Sequence, residues 1–141
     1  MKHLITILFI GLISLSVNAQ DKVAKIDFKT DTIDYGTIEK GANGVRVFEF
    51  TNTGDAPLII SNVTSSCGCT VPSWTKEPVM PKATGKIEVK YDTNRVNPIR
   101  KTITVISNAS TPTVALKIKG EVVDTKDSSV LEKKDKSVVQ Q

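Results

Sequence analysis

The chain has 141 residues, 39% of them hydrophobic, 24% charged and only 5% aromatic, with a formal net charge of +4. That length fits one domain, and so small a basic excess, interspersed with acidic residues and few aromatics, excludes a nucleic-acid surface. The only histidine is His3, which excludes Ser-His-Asp and Cys-His catalysis and every imidazole-built zinc site from the residues beyond the leader.

Lys2 forms a short positive start, Leu4 to Val17 is mostly apolar, and Val17-Asn18-Ala19 brings small residues together. The pattern predicts a signal peptide over residues 1–19, cut between Ala19 and Gln20. Eighteen basic and fifteen acidic residues then remain, a net charge of +3. The apolar run is short for a membrane span and no later segment is apolar enough for one. The mature chain is therefore expected to be soluble, without a transmembrane segment, in the periplasm or outside the cell. Such compartments favour disulfides.

Residues 20–24 read as a linker, and residues 25–123 as a domain of short apolar runs separated by turn residues. "KIDF" and "DTIDYGTI" come first, then "KGANG", where Asn43-Gly44 is a hairpin signal. "VRVFEF", Val45 to Phe50, has apolar residues on both faces, as a strand in the middle of a packed sheet does. "LIISNV", Leu58 to Val63, is the next strand and leads into the cysteines. Val71 to Pro81 holds three prolines and the only tryptophan, Trp74, and reads as an irregular crossing with little pairing, Trp74 plugging the core or its rim.

The second half alternates more cleanly. Ile87, Val89 and Tyr91 point one way in "KIEVKY", Ile103 and Val105 in "KTITVIS", and Val114, Leu116 and Ile118 in "TVALKIKGEV". No helical apolar spacing occurs in this segment. About seven strands predict an all-β, two-layer antiparallel sandwich. Residues 124–141 are charged and lack aromatics, the composition of a disordered tail.

No glycine-rich phosphate loop follows a strand, and no two carboxylates stand out as an acid/base pair, so the chain is read as a non-enzyme without catalytic residues. The chemistry that remains is in "SSCGCT", where Cys67 and Cys69 flank one glycine. In a regular strand their Cα atoms would be about 6.5–7 Å apart, at the upper edge of what a disulfide spans. A bend at Gly68 closes that gap. Three readings stay open: a local disulfide, a thiol-exchange pair, or two thiolates holding Cu(I) with Met80 as a third soft ligand. The first needs no cofactor and the last needs copper.

"FEFTNTGDAPLIISNVTSSCGCTVP" and "GKIEVKYDTN" followed by "KTITVISN" closely resemble the domain of unknown function 1573, a family common in exported proteins of Bacteroidetes and similar to the abnormal-spindle/hydin group of immunoglobulin-like domains. The likeness runs from about Asp34 to Val122, and its motifs here are Asn52 to Leu58 and Ser66 to Pro72. It implies an immunoglobulin-like sandwich and brings no established activity. This chain has Pro81-Lys82 where the family often has Pro-Gly, and Asn97-Pro98 where it often has a loop glycine. Asp31-Thr32-Ile33 also resembles the O-glycosylation site of exported Bacteroidetes proteins, with Thr32 as acceptor. The combined reading is an exported binding or scaffolding module of the bacterial envelope, partnered by another envelope protein. The alternative is a thiol-redox or Cu(I)-binding protein acting through Cys67 and Cys69. The pattern sets no oligomeric state.

Overall fold

Alternating burial along each run organises the chain into strands. In a computed structural model, residues 20–126 are described; the predicted signal peptide with Ala19, and the tail from residue 127 onward, lie outside the described residues. Eight strands form among them: β1 (Ile26–Phe28), β2 (Thr32–Glu39), β3 (Val45–Asn52), β4 (Ile60–Ser65), β5 (Thr70–Trp74), β6 (Thr84–Tyr91), β7 (Pro98–Ser107) and β8 (Thr113–Val123). One four-stranded sheet has the order β1-β3-β6-β5, the other β2-β8-β7-β4. This is the all-β, two-layer sandwich that the alternation predicts, and it agrees with the immunoglobulin-like fold that the resemblance implies.

The core lies between the sheets. Phe48, Phe50, Ile87 and Val89 from one inner face meet Ile103, Val105, Leu116 and Ile118 from the other, and all are buried. Every second residue of β6 faces in, from Gly85 to Tyr91, while Lys86, Glu88 and Lys90 face out. Alternating side chains on a pleated strand impose this two-sidedness.

Four expectations are corrected. Asn43-Gly44 does not close a hairpin, because β2 and β3 belong to different sheets. The turn is real, with Asn43 Oδ1 accepting the Val45 N–H at 2.9 Å, but a turn signal is local and sheet membership is not. Second, β5 is an eighth strand where an irregular crossing is expected. It pairs antiparallel with β6 from Thr70↔Tyr91 to Trp74↔Ile87. Pro72 is tolerated there because β5 is an edge strand, on which a missing N–H can face outward. Third, β2 pairs with β8 in parallel, so that sheet is mixed. Its register shifts between Asp34 and Thr37, and this bulge sets Gly36 at φ 64° beside the buried Tyr35. Fourth, the fourth strand begins at Ile60; Leu58 forms an isolated bridge with Val79. At the start of the domain, Ala24 is buried and bridges Ala109, so the packed unit takes in a residue of the expected linker.

The end of the sandwich opposite the cysteines is tied by Asn52. Its side chain is fully buried, and Oδ1 accepts the N–H groups of Lys25 (3.3 Å) and Gly54 (3.0 Å). Nδ2 donates to the carbonyls of Ala56 (2.7 Å) and Val79 (2.9 Å). The lead residue of the N-T-G-D-x-P-L motif thus joins the start of β1, the β3–β4 turn and the segment before β6.

At that end the Ala83 N–H bonds the Met80 carbonyl at 3.0 Å, with Lys82 at φ 68°. Pro81-Lys82 fills the two central positions of a turn whose second central residue is left-handed, the place where type II turns prefer glycine. Lys82 is the only non-glycine residue with positive φ among those described. Lys82→Gly is expected to raise the unfolding free energy by about 1 kcal/mol through removal of this strain. A urea titration checks it, and a lowered midpoint would contradict the turn assignment.

Candidate functional site

Cys67 and Cys69 lie in the link from β4 in one sheet to β5 in the other. Their sulfurs stand at disulfide distance, with Cα atoms 5.4 Å apart. The chain bends at Gly68 as expected, shortening the extended spacing. Glycine's special freedom is not what permits the bend, because Gly68 is absent from the residues with positive φ and a Cβ there would meet nothing within 4 Å. Gly68→Ala is therefore expected to leave the bridge and the stability unchanged to within about 0.5 kcal/mol. Intact mass after alkylation, with a urea titration, tests both parts.

Both flanks of the pair are pinned independently. The Ser66 N–H bonds the Thr102 carbonyl at 3.0 Å, and the Thr102 N–H bonds Ser66 Oγ at 3.2 Å. Beyond the pair, the Asp92 N–H bonds the Cys69 carbonyl at 2.9 Å. Cys69 is buried at 6% exposure, whereas Cys67 is partly exposed. Thr70 Oγ1, on a buried residue, is 4.0 Å from each sulfur. A bridge closing so short a loop restrains the unfolded chain far less than the roughly 3 kcal/mol of a fifteen-residue loop.

A cleft of about 580 Å³ adjoins the pair. The β2–β3 loop from Gly41 to Val45 forms one wall and Lys90 to Asn94 the other, with Gly68 and Cys69 completing it. The loop is held tightly. The Gly44 carbonyl accepts the Tyr35 hydroxyl at 2.7 Å and the Tyr91 N–H at 3.0 Å. Thr93 Oγ1 donates to the Ala42 carbonyl at 2.7 Å. Burial pushes the Tyr35 phenol above its ordinary range, against the opposing field of Arg46, whose guanidinium lies 4.3 Å from the ring centroid. The Asn94 backbone N–H, with the Asn94 side chain next in effect, holds the Asp92 carboxyl below the usual carboxylate range.

Met80 is not brought to this site. It is 57% exposed and precedes β6, whereas the cysteines adjoin the strand's far end at Tyr91 and Asp92. Eight residues of strand separate the two ends by about 23 Å. Among the described residues no group of three His, Cys, Asp or Glu side chains is placed to hold a metal. Thr32 is partly buried, and its hydroxyl donates to Asp31 Oδ1 at 2.8 Å. Gln20 is exposed at the edge of the described residues. Trp74 is partly buried against the core, and its Nε1–H donates to the Ile60 carbonyl at 3.3 Å, so it sits at the rim as expected. Lys90 and Asp92 carried no local signal, because strand pairing alone brings them beside the cysteines, whereas Thr70 directly follows Cys69 in the chain.

No curated protein matches the sequence. Among solved structures, a protein of unknown function from Porphyromonas gingivalis W83 is similar at 18% identity and a TM-score of 0.64, over 77% of this chain and 51% of that one. This chain thus spans about half the length of that relative. The PapD-like domain 7 of human CEP192 is similar at 11% identity and a TM-score of 0.60, over 72% of this chain and 87% of that one. The CupB2 chaperone of Pseudomonas aeruginosa is similar at 8% identity and a TM-score of 0.51, over 68% of this chain and 55% of that one. These likenesses show the fold alone. A family profile described as "Protein of unknown function (DUF1573)" matches residues 26–122, almost the whole sandwich and both motifs that brace it, and the chain belongs to that family.

Proposed function

We propose that this chain is an exported, non-enzymatic binding or scaffolding module of the bacterial periplasm or envelope, and that another envelope protein is its partner. The cleft beside the cysteines carries the reading. Its lining includes the small residues Gly41, Ala42, Gly44 and Gly68, with polar groups at Lys90, Asp92 and Asn94. A lining of small and polar residues suits recognition of another polypeptide, whereas small-molecule sites are lined mainly by apolar and aromatic side chains. The likeness to a PapD-like domain and to a chaperone supports a binding role at the level of fold. No helix among the described residues is long and apolar enough to cross a membrane.

Photo-cross-linking residues at Lys90 and Asn94 test the reading in the whole exported chain. Both positions are expected to capture the same envelope protein, and a probe at the exposed Asp55, at the opposite end, is expected not to. If the two cleft positions share no product, the reading fails.

A further inference from the structure

We propose that the Cys67–Cys69 pair is a thiol–disulfide exchange site, with Cys67 the sulfur attacked, Cys69 the sulfur released, and a thiolate the co-substrate. This goes beyond the binding role above and does not rest on it. Four observations meet here. Hydrogen bonds at Ser66, Thr102, Cys69 and Asp92 hold the crossing on both flanks independently of the sulfur–sulfur bond. The two sulfur-bearing residues are unequal, Cys67 partly exposed and Cys69 buried. Space beside Gly68 is open, since nothing lies within 4 Å of where a Cβ would stand. The Thr70 hydroxyl lies 4.0 Å from both sulfurs and can donate to whichever carries negative charge.

An incoming thiolate attacks the sulfur it can reach and expels the other along the bond axis. Cys67, the more exposed residue of the pair, is therefore assigned as the one attacked. A bond forms between the incoming sulfur and Cys67 Sγ, and the bond from Cys67 Sγ to Cys69 Sγ breaks. Its electron pair leaves on Cys69 Sγ, which the Thr70 hydroxyl stabilises by a hydrogen bond until solvent protonates it. A second thiol of the same co-substrate then attacks the sulfur bound to Cys67 and expels the Cys67 thiolate, which solvent protonates. The co-substrate loses two electrons and two protons and becomes a disulfide; the Cys67–Cys69 pair gains both and becomes a dithiol. No metal or further oxidant enters the balance. A co-substrate with a single thiol stops at the mixed disulfide on Cys67, or is displaced by a second molecule.

The test uses the oxidised full exported chain and reduced glutathione as probe. Samples are quenched in acid, remaining thiols are alkylated, and the adduct is mapped by tandem mass spectrometry. The adduct is expected on Cys67 in about tenfold excess over Cys69, as access dictates. Equal labelling, an excess on Cys69, or a bridge inert in the folded chain while the urea-unfolded chain reacts would each overturn the proposal. In a second arm, Cys69→Ser is expected to form a mixed disulfide with oxidised glutathione about tenfold faster than Cys67→Ser. If either variant fails to fold, the wild-type mapping decides. Reduction of the wild type is expected to leave its urea transition cooperative; reduction that unfolds the chain would mark the bridge as a staple and overturn the proposal. An extended dithiol peptide reacting faster than glutathione identifies a protein-borne thiolate as the co-substrate, and equal rates identify a small thiol. Either rate order supports exchange.

Discussion

Asn52→Ala lowers the unfolding free energy by about 3–5 kcal/mol, the largest effect expected of any polar substitution in this domain. Four hydrogen bonds end on this one side chain, at the N–H groups of Lys25 and Gly54 and the carbonyls of Ala56 and Val79. Its residue is fully buried, so water does not readily replace the amide. Each lost bond is worth about 1 kcal/mol net, and a partner left buried and unpaired adds its desolvation penalty. The loss falls on the end where β1 begins and where Leu58 bridges Val79. A urea titration measures it, and a loss below about 1 kcal/mol would show that the surrounding turns hold without the amide.

Asn52→Asp sharpens the test through pH. An aspartate keeps acceptors for Lys25 and Gly54 but sets an oxygen against the carbonyls of Ala56 and Val79. Burial and this repulsion both raise the variant's folded-state pKa above its unfolded value. The folded state then binds the proton more tightly, so the variant is expected to gain stability relative to wild type as pH falls through that raised pKa, and to be weakest at neutral pH and above. A variant equally destabilised at pH 4 and pH 7 would refute this orientation of the amide.

Gly44→Ala is expected to destabilise by about 2–4 kcal/mol, although alanine is only one methyl larger. A Cβ at Gly44 would stand 2.1 Å from the Tyr91 carbonyl oxygen and 3.1 Å from its carbon. Main chain cannot yield as a flexible side-chain tip can, so the β2–β3 loop must lift away from β6. That movement strains the bonds from the Tyr35 hydroxyl and the Tyr91 N–H to the Gly44 carbonyl, and it opens the cleft. Gly68→Ala, on the same cleft in open space, is the internal control. If the two variants have equal urea midpoints, close packing of the loop on β6 is wrong.

Much of the fold is legible in the residues because inward alternation is a local property. Ile87, Val89, Tyr91, Ile103, Val105, Leu116 and Ile118 are buried as their period-two spacing demands. For the disulfide reading the spacing of the cysteines needed a bend at Gly68, and the Cα separation is 5.4 Å. The departure from Pro-Gly at Pro81-Lys82 marked an altered turn, and Lys82 carries the positive φ. The candidate site was half legible. Cys67 and Cys69 announced themselves, while the wall formed by Lys90 to Asn94 lies more than twenty residues downstream and arrives through the pairing of Thr70 with Tyr91.

The sequence by itself determined the all-β class and the inward faces of the strands, since each depends on side-chain period, and left three readings of the cysteine pair open. Only the tertiary structure decided that β2 and β3 part into different sheets, that β2 runs parallel to β8, that β5 pairs despite Pro72, and that Met80 stands a strand's length from the cysteines. It also decided the unequal burial of Cys67 and Cys69. The physical reason is common to these: hydrogen-bond partners and access to water are set by which distant segments meet, and turn chemistry or local spacing carries no record of that choice.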